Sequence, residues 1–174
     1  FEYQHHYKFL STFFGINLQQ RLVSSNYYSL LAEDELLVGY ASFKFSKNKW
    51  NTVTSIRGES HSLYDVPSLY SFGSNYLINN KWIWKLQFAK NFKAPAFNDL
   101  YWVGDGAIGN VDLLPELAYT AETALENKDI SLSFYTNWIQ QMISWQPNTL
   151  GIWMPQNLES VLARGIEVKR TFNK

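Results

Sequence analysis

Apolar and polar side chains alternate with a period of two residues in one segment of the chain after another. In the segment 82–92, Trp82, Trp84, Leu86 and Phe88 occupy one set of alternate positions, and mostly polar residues occupy the other. Eight further segments divide in a similar way: 1–9, 13–22, 36–46, 49–60, 69–78, 116–126, 130–140 and 161–172. Successive side chains of a β-strand point to opposite faces of the sheet, so the pattern predicts about nine strands and no long helix.

The predicted connections between these strands alternate in length. Short polar turns are expected at 46–49, 79–81 and 127–129, with another near 9–12. Long irregular connections are expected at 24–35, 61–68, 93–115 and 146–160. Membrane barrels have short periplasmic turns and long extracellular loops. Alternation alone fits a soluble sheet as well as a membrane barrel, and the placement of the long connections at one end favours the barrel.

Composition narrows the possible functions. Aromatic residues make up 17% of the chain and charged residues 17%, against about 25% charged residues in ordinary soluble domains. Fifteen basic and fifteen acidic residues balance, which argues against a nucleic-acid partner. The absence of cysteine removes disulfide scaffolds, thiol nucleophiles and cysteine-ligated zinc. No acid–base, nucleophile or metal-ligand arrangement emerges from the spacing, so we expect no enzyme, no cofactor and no metal site.

The two faces of the predicted strands differ in polarity. We expect the apolar faces to contact the lipid bilayer and the opposite faces to look into a hydrated lumen. The expected lumen-facing residues are Arg57, Glu59, Lys85, Glu122 and Glu167. Trp50, Trp82 and Trp84 lie beside predicted turns, where an interfacial aromatic girdle is expected. The acidic run 33–35 is expected to be a solvated loop.

Motif residues occur in order and at consistent spacing between about residues 50 and 172. They are Phe92, Ala94, Pro95, Leu100, Tyr101, Gly109, Asn110, Asp112, Leu114, Pro115, Glu116, Pro155, Asn157, Gly165 and Glu167. Together they resemble the C-terminal part of the β-barrel of TonB-dependent outer-membrane receptors, closest to the vitamin B12 (cobalamin) type. Lys93 stands where the family usually has Arg, and Val111 where it usually has Pro. Residues 1–48 carry no such motif.

This resemblance implies a fold, a location and a mode of action. It implies a barrel of about 22 strands that encloses a plug domain in the outer membrane of a Gram-negative bacterium. Import of a bulky, scarce nutrient, such as cobalamin or an iron chelate, would be driven by the TonB complex acting through the plug. Residues 1–174 are then expected to be an all-β, antiparallel up-and-down part of that barrel, without the plug. Its open edges would pair with the remaining barrel strands or with another copy of the chain.

Two aromatic clusters are candidates for ligand binding. Tyr101 and Trp102 lie in the connection 93–115, and Trp145 and Trp153 in or beside the connection 146–160. Such rings combine apolar area with a polar tip and so suit stacking on a ligand. The alternatives are that the first cluster packs its loop against the barrel wall or the plug, and that the second anchors the membrane interface. Asn110 and Asp112 are expected to be turn residues, and Glu116 to pair with a basic group in the lumen.

A second function from another class fits the same alternation. A soluble all-β module could bind a carbohydrate or another ligand through exposed Trp and Tyr side chains. The two hypotheses differ in the surroundings of the face formed by Trp82, Trp84, Leu86 and Phe88. That face is an exposed band in a membrane barrel and is sealed between two sheets in a soluble sandwich.

Overall fold

A computed structural model describes residues 1–28 and 30–172; Ser29, Asn173 and Lys174 lie outside the described residues. The predicted domain 1–174 is therefore described up to Phe172. Within the described residues, eleven strands and one short helix, α1 (Phe97–Tyr101), make up the regular structure. The strands are β1 (Glu2–Tyr7), β2 (Leu10–Val23), β3 (Ala32–Lys47), β4 (Trp50–His61), β5 (Leu69–Leu77), β6 (Ile83–Lys93), β7 (Val103–Gly104), β8 (Ala107–Ile108), β9 (Glu116–Glu126), β10 (Ile130–Pro147) and β11 (Trp153–Arg170).

All strands belong to one sheet in the order β1-β2-β3-β4-β5-β6-β9-β10-β11-β8-β7. The nine long strands follow one another as antiparallel neighbours, which confirms the predicted all-β meander. Strands β7 and β8 were not predicted, because two residues are too few to show a period. β8 also pairs in parallel with β11, where Ala107 lies opposite Trp153.

One predicted long connection is wrong. β10 continues to Pro147 and β11 begins at Trp153, so only residues 148–152 remain of the predicted connection 146–160. Pairs from Met142 opposite Leu158 to Pro147 opposite Trp153 extend both strands beyond the segments in which alternation is visible. Gln141 interrupts the pattern, with a φ of 54° and no paired residue. The long connections are therefore 24–31, 62–68 and 94–115.

The acidic run 33–35 also departs from expectation, because β3 begins at Ala32 and includes it. Asp34 is 4% exposed rather than solvated, whereas Glu33 and Glu35 are exposed as expected. Among the described residues few apolar side chains are buried: Ala32, Val38, Leu69, Pro95, Leu100, Leu113, Ala124 and Pro155. Leu100 and Leu113 belong to the connection 94–115 and are both buried, so this connection contributes part of the small core.

The strand register sorts the side chains onto two faces. Directly opposite residues of neighbouring strands share a face, so Trp84, Phe88, Phe134, Trp138 and Ile166 lie on the same side of the sheet. All five are exposed, and the described residues form no second sheet to cover them. A sealed soluble sandwich is therefore contradicted. We call this side the apolar face and the other side the polar face. Within residues 1–28 and 30–172, no helix has the length and hydrophobicity needed to span a membrane.

Candidate functional site

The long connections pack together at one end of the sheet, and we call this assembly the outer loop cluster: the described residues of 24–31, 62–68 and 94–115, with the adjoining strand ends. At its centre Asp99, in helix α1, makes three contacts with different parts of the chain. Its Oδ2 accepts the Ala96 N–H at 3.0 Å, and its Oδ1 accepts the Trp145 Nε1–H at 2.9 Å. Its carbonyl oxygen accepts the Asn110 N–H at 2.8 Å. Asp99 therefore joins the helix to both β10 and the far side of its own loop.

Gly109 allows the loop to close onto helix α1. Its N–H donates to the Trp102 carbonyl oxygen at 2.7 Å. A Cβ atom at this position would lie 2.7 Å from the carbonyl carbon and oxygen of Leu100, closer than such atoms approach. Those atoms belong to the backbone, which cannot turn aside as a side chain can. The glycine of the sequence motif is thus required by a close approach between two chain segments.

The later motif residues join the same loop to strand β11. Asn157 donates from Nδ2 to the carbonyl oxygens of Leu114 at 2.9 Å and Gln141 at 2.8 Å. Its Oδ1 accepts the Leu114 N–H at 2.9 Å. Asn110 donates from Nδ2 to the Pro155 carbonyl oxygen at 3.2 Å. Motif segments separated by more than 40 residues therefore meet through side-chain contacts with the backbone.

Other motif residues are placed close to where the sequence predicted them. Asn110 Oδ1 accepts the Asp112 N–H at 3.0 Å, which is the local bond expected of a turn residue. Glu116 Oε1 accepts from Lys93 Nζ at 2.8 Å and from the Ile143 N–H at 3.1 Å. The ring of Tyr135 covers Gly165, where an added Cβ atom would lie 2.6 Å from the Tyr135 hydroxyl.

The connection 24–31 is tied to the loop 94–115 by aromatic contacts. The rings of Tyr27 and Trp102 stack with their centroids 4.8 Å apart and their planes 4° from parallel. The Tyr28 hydroxyl donates to Asn98 Oδ1, and the Val103 N–H donates to the Tyr27 carbonyl oxygen at 2.7 Å. Trp102 is therefore held inside the cluster by its stacking partner.

A buried polar group that the sequence did not reveal lies below these loops. Arg21 donates to both carboxylate oxygens of Asp34, at 2.7 Å from Nε to Oδ1, and its guanidinium lies 5.3 Å from the centre of the Phe97 ring. His61 Nδ1 accepts the Leu63 N–H at 3.1 Å, which leaves the proton of a neutral imidazole on Nε2. That Nε2 is buried, has no hydrogen-bond partner among the described residues and lies 3.5 Å from Asp34 Oδ2.

This polar group joins the ends of three strands to the loops above them. Burial raises the pKa of the Tyr64 hydroxyl, and the neighbouring Tyr101 and Asp34 raise it further. No sequence motif predicts the group of Arg21, Asp34 and His61. Its members are separated along the chain and meet only through the pairing of β2 with β3 and of β3 with β4.

The predicted lumen residues all lie on the polar face. Arg57 donates to Glu59 Oε2, at 2.6 Å from Nη2, and Lys85 forms an ion pair with Glu126. Glu122 and Glu167 line a recess of about 370 Å³ together with Gln87, Tyr135 and Asn137. The register therefore gathers Arg57, Glu59, Lys85, Glu122 and Glu167 on one side, as the alternation predicted.

The predicted aromatic clusters fall in different places. Trp145 and Trp153 are strand residues rather than loop residues, and both lie on the side of the sheet that carries Glu167. That placement contradicts an interfacial anchor on the apolar face. Trp145 is occupied by its bond to Asp99, whereas Trp153 is 50% exposed. Tyr101 is partly exposed beside Tyr28, with ring centroids 6.4 Å apart.

The predicted girdle residues at the opposite end of the sheet are closer to expectation. Trp50 and Trp84 both lie on the apolar face beside short turns. The Trp50 ring lies 4.5 Å from the Tyr76 ring, and Trp84 Nε1 donates to Thr123 Oγ1 at 2.8 Å. Trp82 lies in the connection 78–82, where its carbonyl oxygen accepts the Ile78 N–H.

Comparison with known proteins gives one consistent result. The family model described as TonB dependent receptor-like, beta-barrel, matches residues 1–173. The vitamin B12 transporter BtuB of Vibrio vulnificus is 30% identical over 161 residues, which cover 90% of this chain and 26% of that protein. BtuB of Photobacterium profundum is 30% identical over 158 residues, covering 85% of this chain and 26% of that protein. The chain thus spans about a quarter of the length of these relatives.

Solved structures share the fold at lower sequence identity. The siderophore receptor PirA of Pseudomonas aeruginosa has a TM-score of 0.82 at 17% identity, and the match covers 96% of this chain and 35% of that one. The FrpB iron transporter of Neisseria meningitidis has a TM-score of 0.70 at 10% identity, covering 96% of this chain and 31% of that one.

Proposed function

The chain belongs to the TonB-dependent receptor β-barrel family, and on that premise we propose that it forms part of the barrel wall of an outer-membrane receptor that imports a small-molecule nutrient. The observation that carries the proposal is the continuous meander whose register separates an exposed apolar face from a polar face. A wall between hydrocarbon and a hydrated interior requires this separation. The curated relatives are named as transporters, which points to a non-enzymatic family.

Vitamin B12 is the first candidate for the imported nutrient. Its support is the 30% identity to two proteins named as vitamin B12 transporters. An iron–siderophore complex is the second candidate, because receptors named for siderophores share the fold. Family members act in the outer membrane of Gram-negative bacteria and depend on TonB. In the complete receptor a plug domain would carry the TonB contact, and the remaining strands would close the barrel.

The polar face would contact the plug. Arg57, Glu59 and Lys85 are held in ion pairs on this face, whereas Glu122 and Glu167 line an open recess. Carboxylates in an open recess can accept hydrogen bonds from a surface that later moves away. We therefore assign Glu122 and Glu167 to reversible contact with the plug.

The four candidate aromatic residues divide into two roles. Tyr101 and Trp153 keep exposed ring area and are the proposed ligand contacts. Trp102 is stacked on Tyr27 and Trp145 is bonded to Asp99, so these two hold the outer loop cluster in the shape that presents the other rings.

The test uses the complete receptor that contains this chain, expressed in a strain that lacks its own vitamin B12 receptor. We expect uptake of labelled cyanocobalamin that is abolished when TonB is deleted. Replacing Tyr101 and Trp153 together by Ala should weaken cyanocobalamin binding to the purified receptor by about tenfold or more, since each aromatic anchor contributes about 1 kcal/mol or more.

The matched control is Trp50→Ala, which removes the same kind of ring at the opposite end of the sheet and should leave binding unchanged. Uptake of a ferric siderophore in place of cyanocobalamin would select the second candidate. TonB-independent uptake, or binding of neither compound, would refute the proposal.

A further inference from the structure

Positive charge collects at the short-turn end of the sheet. In the described part of the chain every short connection between long strands contains an exposed lysine: Lys8, Lys49, Lys81 and Lys128. Strand β11 ends at the same side with Lys169 and Arg170. The carboxylate of Glu126, which ends β9 at this side, is already paired with Lys85. Clustered cations of this kind attract an anionic partner.

Two of these lysines border one recess. Lys49 and Lys81 line an open recess of about 520 Å³ together with Asn79, Asn80 and Trp82. β4 and β5 are hydrogen-bonded neighbours, which brings the turn 48–49 beside the connection 78–82. The sheet order therefore places two cations from separate hairpins around the same space.

The backbone of this recess is held in place by its own residues. Lys49 Nζ donates to the Ile78 carbonyl oxygen at 3.1 Å, and the Lys49 carbonyl oxygen accepts the Leu77 N–H at 2.9 Å. Asn79 Oδ1 accepts the N–H groups of Lys81 at 2.9 Å and Trp82 at 3.1 Å. The two turns are thus tied to each other, and a ligand would meet a recess whose shape is already set.

The cations of the recess lack an anion. Neither Lys49 nor Lys81 has a carboxylate partner among the described residues, whereas Lys85 and Lys93 are paired with Glu126 and Glu116. Ammonium groups form their strongest hydrogen bonds with ionised acceptors such as carboxylates. The recess therefore suits a ligand that brings carboxylates of its own.

The remaining groups of the recess add two further kinds of contact. Asn79 uses its Oδ1 within the turn, and among the described residues its Nδ2 group is not engaged. The side chain of Asn80 is exposed, and Trp82 is half-buried and forms part of the wall. Amide groups can bond to amides of a ligand, and an indole ring can pack on an apolar surface such as the face of a sugar.

From this arrangement, and resting on the proposed membrane barrel, we propose that the recess binds peptidoglycan, the carboxylate-bearing glycan–peptide polymer of the cell wall. Short turns of membrane barrels lie on the periplasmic side, where this polymer is found. Lys49 and Lys81 contact carboxylates of the peptide stems, the two asparagines contact acetamido or peptide groups, and Trp82 packs on a sugar ring. An acidic protein or an anionic lipid headgroup would use the charges and leave the amides and the ring without a role.

The test mixes purified sacculi with the complete receptor in mild detergent and measures the receptor that sediments with them. Replacing Lys49 and Lys81 together by Gln should weaken binding by about fivefold or more, because two exposed ion pairs are lost. Trp82→Ala keeps both charges and should weaken binding by about threefold or more. The matched control replaces Lys8 and Lys128 by Gln, which removes two cations of the same end outside the recess and should leave binding unchanged.

The ligand is tested in the same assay. Sacculi whose carboxyl groups have been amidated should retain the unmodified receptor poorly, since they no longer offer an anion to the lysines. Poly-glutamate and mixed micelles of phosphatidylglycerol represent an acidic protein and an anionic lipid. Tighter binding of either one than of sacculi refutes peptidoglycan as the ligand.

Other outcomes would overturn the recess itself. Unchanged binding in the Lys49 and Lys81 double variant or in Trp82→Ala refutes it, and equal losses in the two double variants show a diffuse attraction instead. Should the recess double variant fail to insert, Lys81→Gln decides, because it leaves the bond from Lys49 to Ile78 intact. A receptor that alkaline carbonate extracts refutes the membrane barrel as well, whereas an intact barrel that does not sediment with sacculi refutes only this inference.

Discussion

The two ends of the sheet are built by different means. At the short-turn end two of the connections are organised by residues within them or next to them: Asn79 Oδ1 accepts the N–H groups of Lys81 and Trp82, and Asn127 Oδ1 accepts those of Asp129 and Ile130. At the long-loop end the organising contacts join distant segments. Tyr28 and Asn98 are 70 residues apart, and Asp99 and Trp145 are 46 apart.

The backbone is thus held by local contacts in these short turns and by contacts between distant segments in the outer loop cluster. An asparagine that bonds to N–H groups two and three residues later needs only its own turn, and the loss of one turn leaves the others intact. In the outer loop cluster one residue supports several segments, so one substitution is expected to loosen all of them. The proposed ligand contacts Tyr101 and Trp153 lie at the end that depends on tertiary contacts.

The largest effect is expected from Gly109→Ala. The new Cβ atom would lie 2.7 Å from backbone atoms of Leu100, and forcing such atoms apart costs about 3 kcal/mol. Hydrogen exchange of the complete receptor should show that loss of opening free energy throughout 94–115. Gly73→Ala is the matched control, because no atom lies within 4 Å of its added Cβ. Protection of 94–115 equal to that of the control would show that the loop closes without Gly109.

An intermediate effect is expected from Asn157→Ala. It removes three hydrogen bonds to Leu114 and Gln141, and the expected loss is about 2 kcal/mol of opening free energy for the segment near Leu114. Asn137→Ala is the control, since the described residues give the Asn137 side chain no hydrogen bond. An effect confined to β11, with 94–115 unchanged, would contradict the role of Asn157 as a tie between segments.

The smallest effect is expected from Asn127→Ala at the short-turn end. The loss of two local bonds should lower the opening free energy of 127–130 by about 0.5–1 kcal/mol and leave the outer loop cluster unchanged. Lys128→Ala in the same turn serves as the control. A change in the hydrogen-exchange protection of residues 94–115 in Asn127→Ala would show that the two ends of the sheet are not independent.

Features that depend on neighbouring residues could be predicted from the sequence, whereas features that depend on contacts between distant segments could not. The nine long strands and the common face of Arg57, Lys85 and Glu167 were predictable, because alternation is a property of neighbouring residues. The extent of β10 and β11 was not, since Gln141 with its φ of 54° interrupts the alternation and pairing across the two strands restores it.

The motif residues show a second limit. The sequence marked Asn110, Asn157 and Gly109 by resemblance, but only the structure assigns each a contact. The buried group of Arg21, Asp34 and His61 carried no signal, and Asp34 even lay in a run that looked solvated. Charge pairing across strands depends on register, which a single chain segment does not display.

The sequence by itself determined that the chain forms strands whose side chains alternate between an apolar face and a polar face. It also contained the motif residues of the family. Only the tertiary structure decided which distant segments meet in the outer loop cluster and which aromatic rings remain exposed. The physical reason is range: side-chain direction along a strand is set by the next residue, whereas loop closure and charge pairing are set by residues far along the chain.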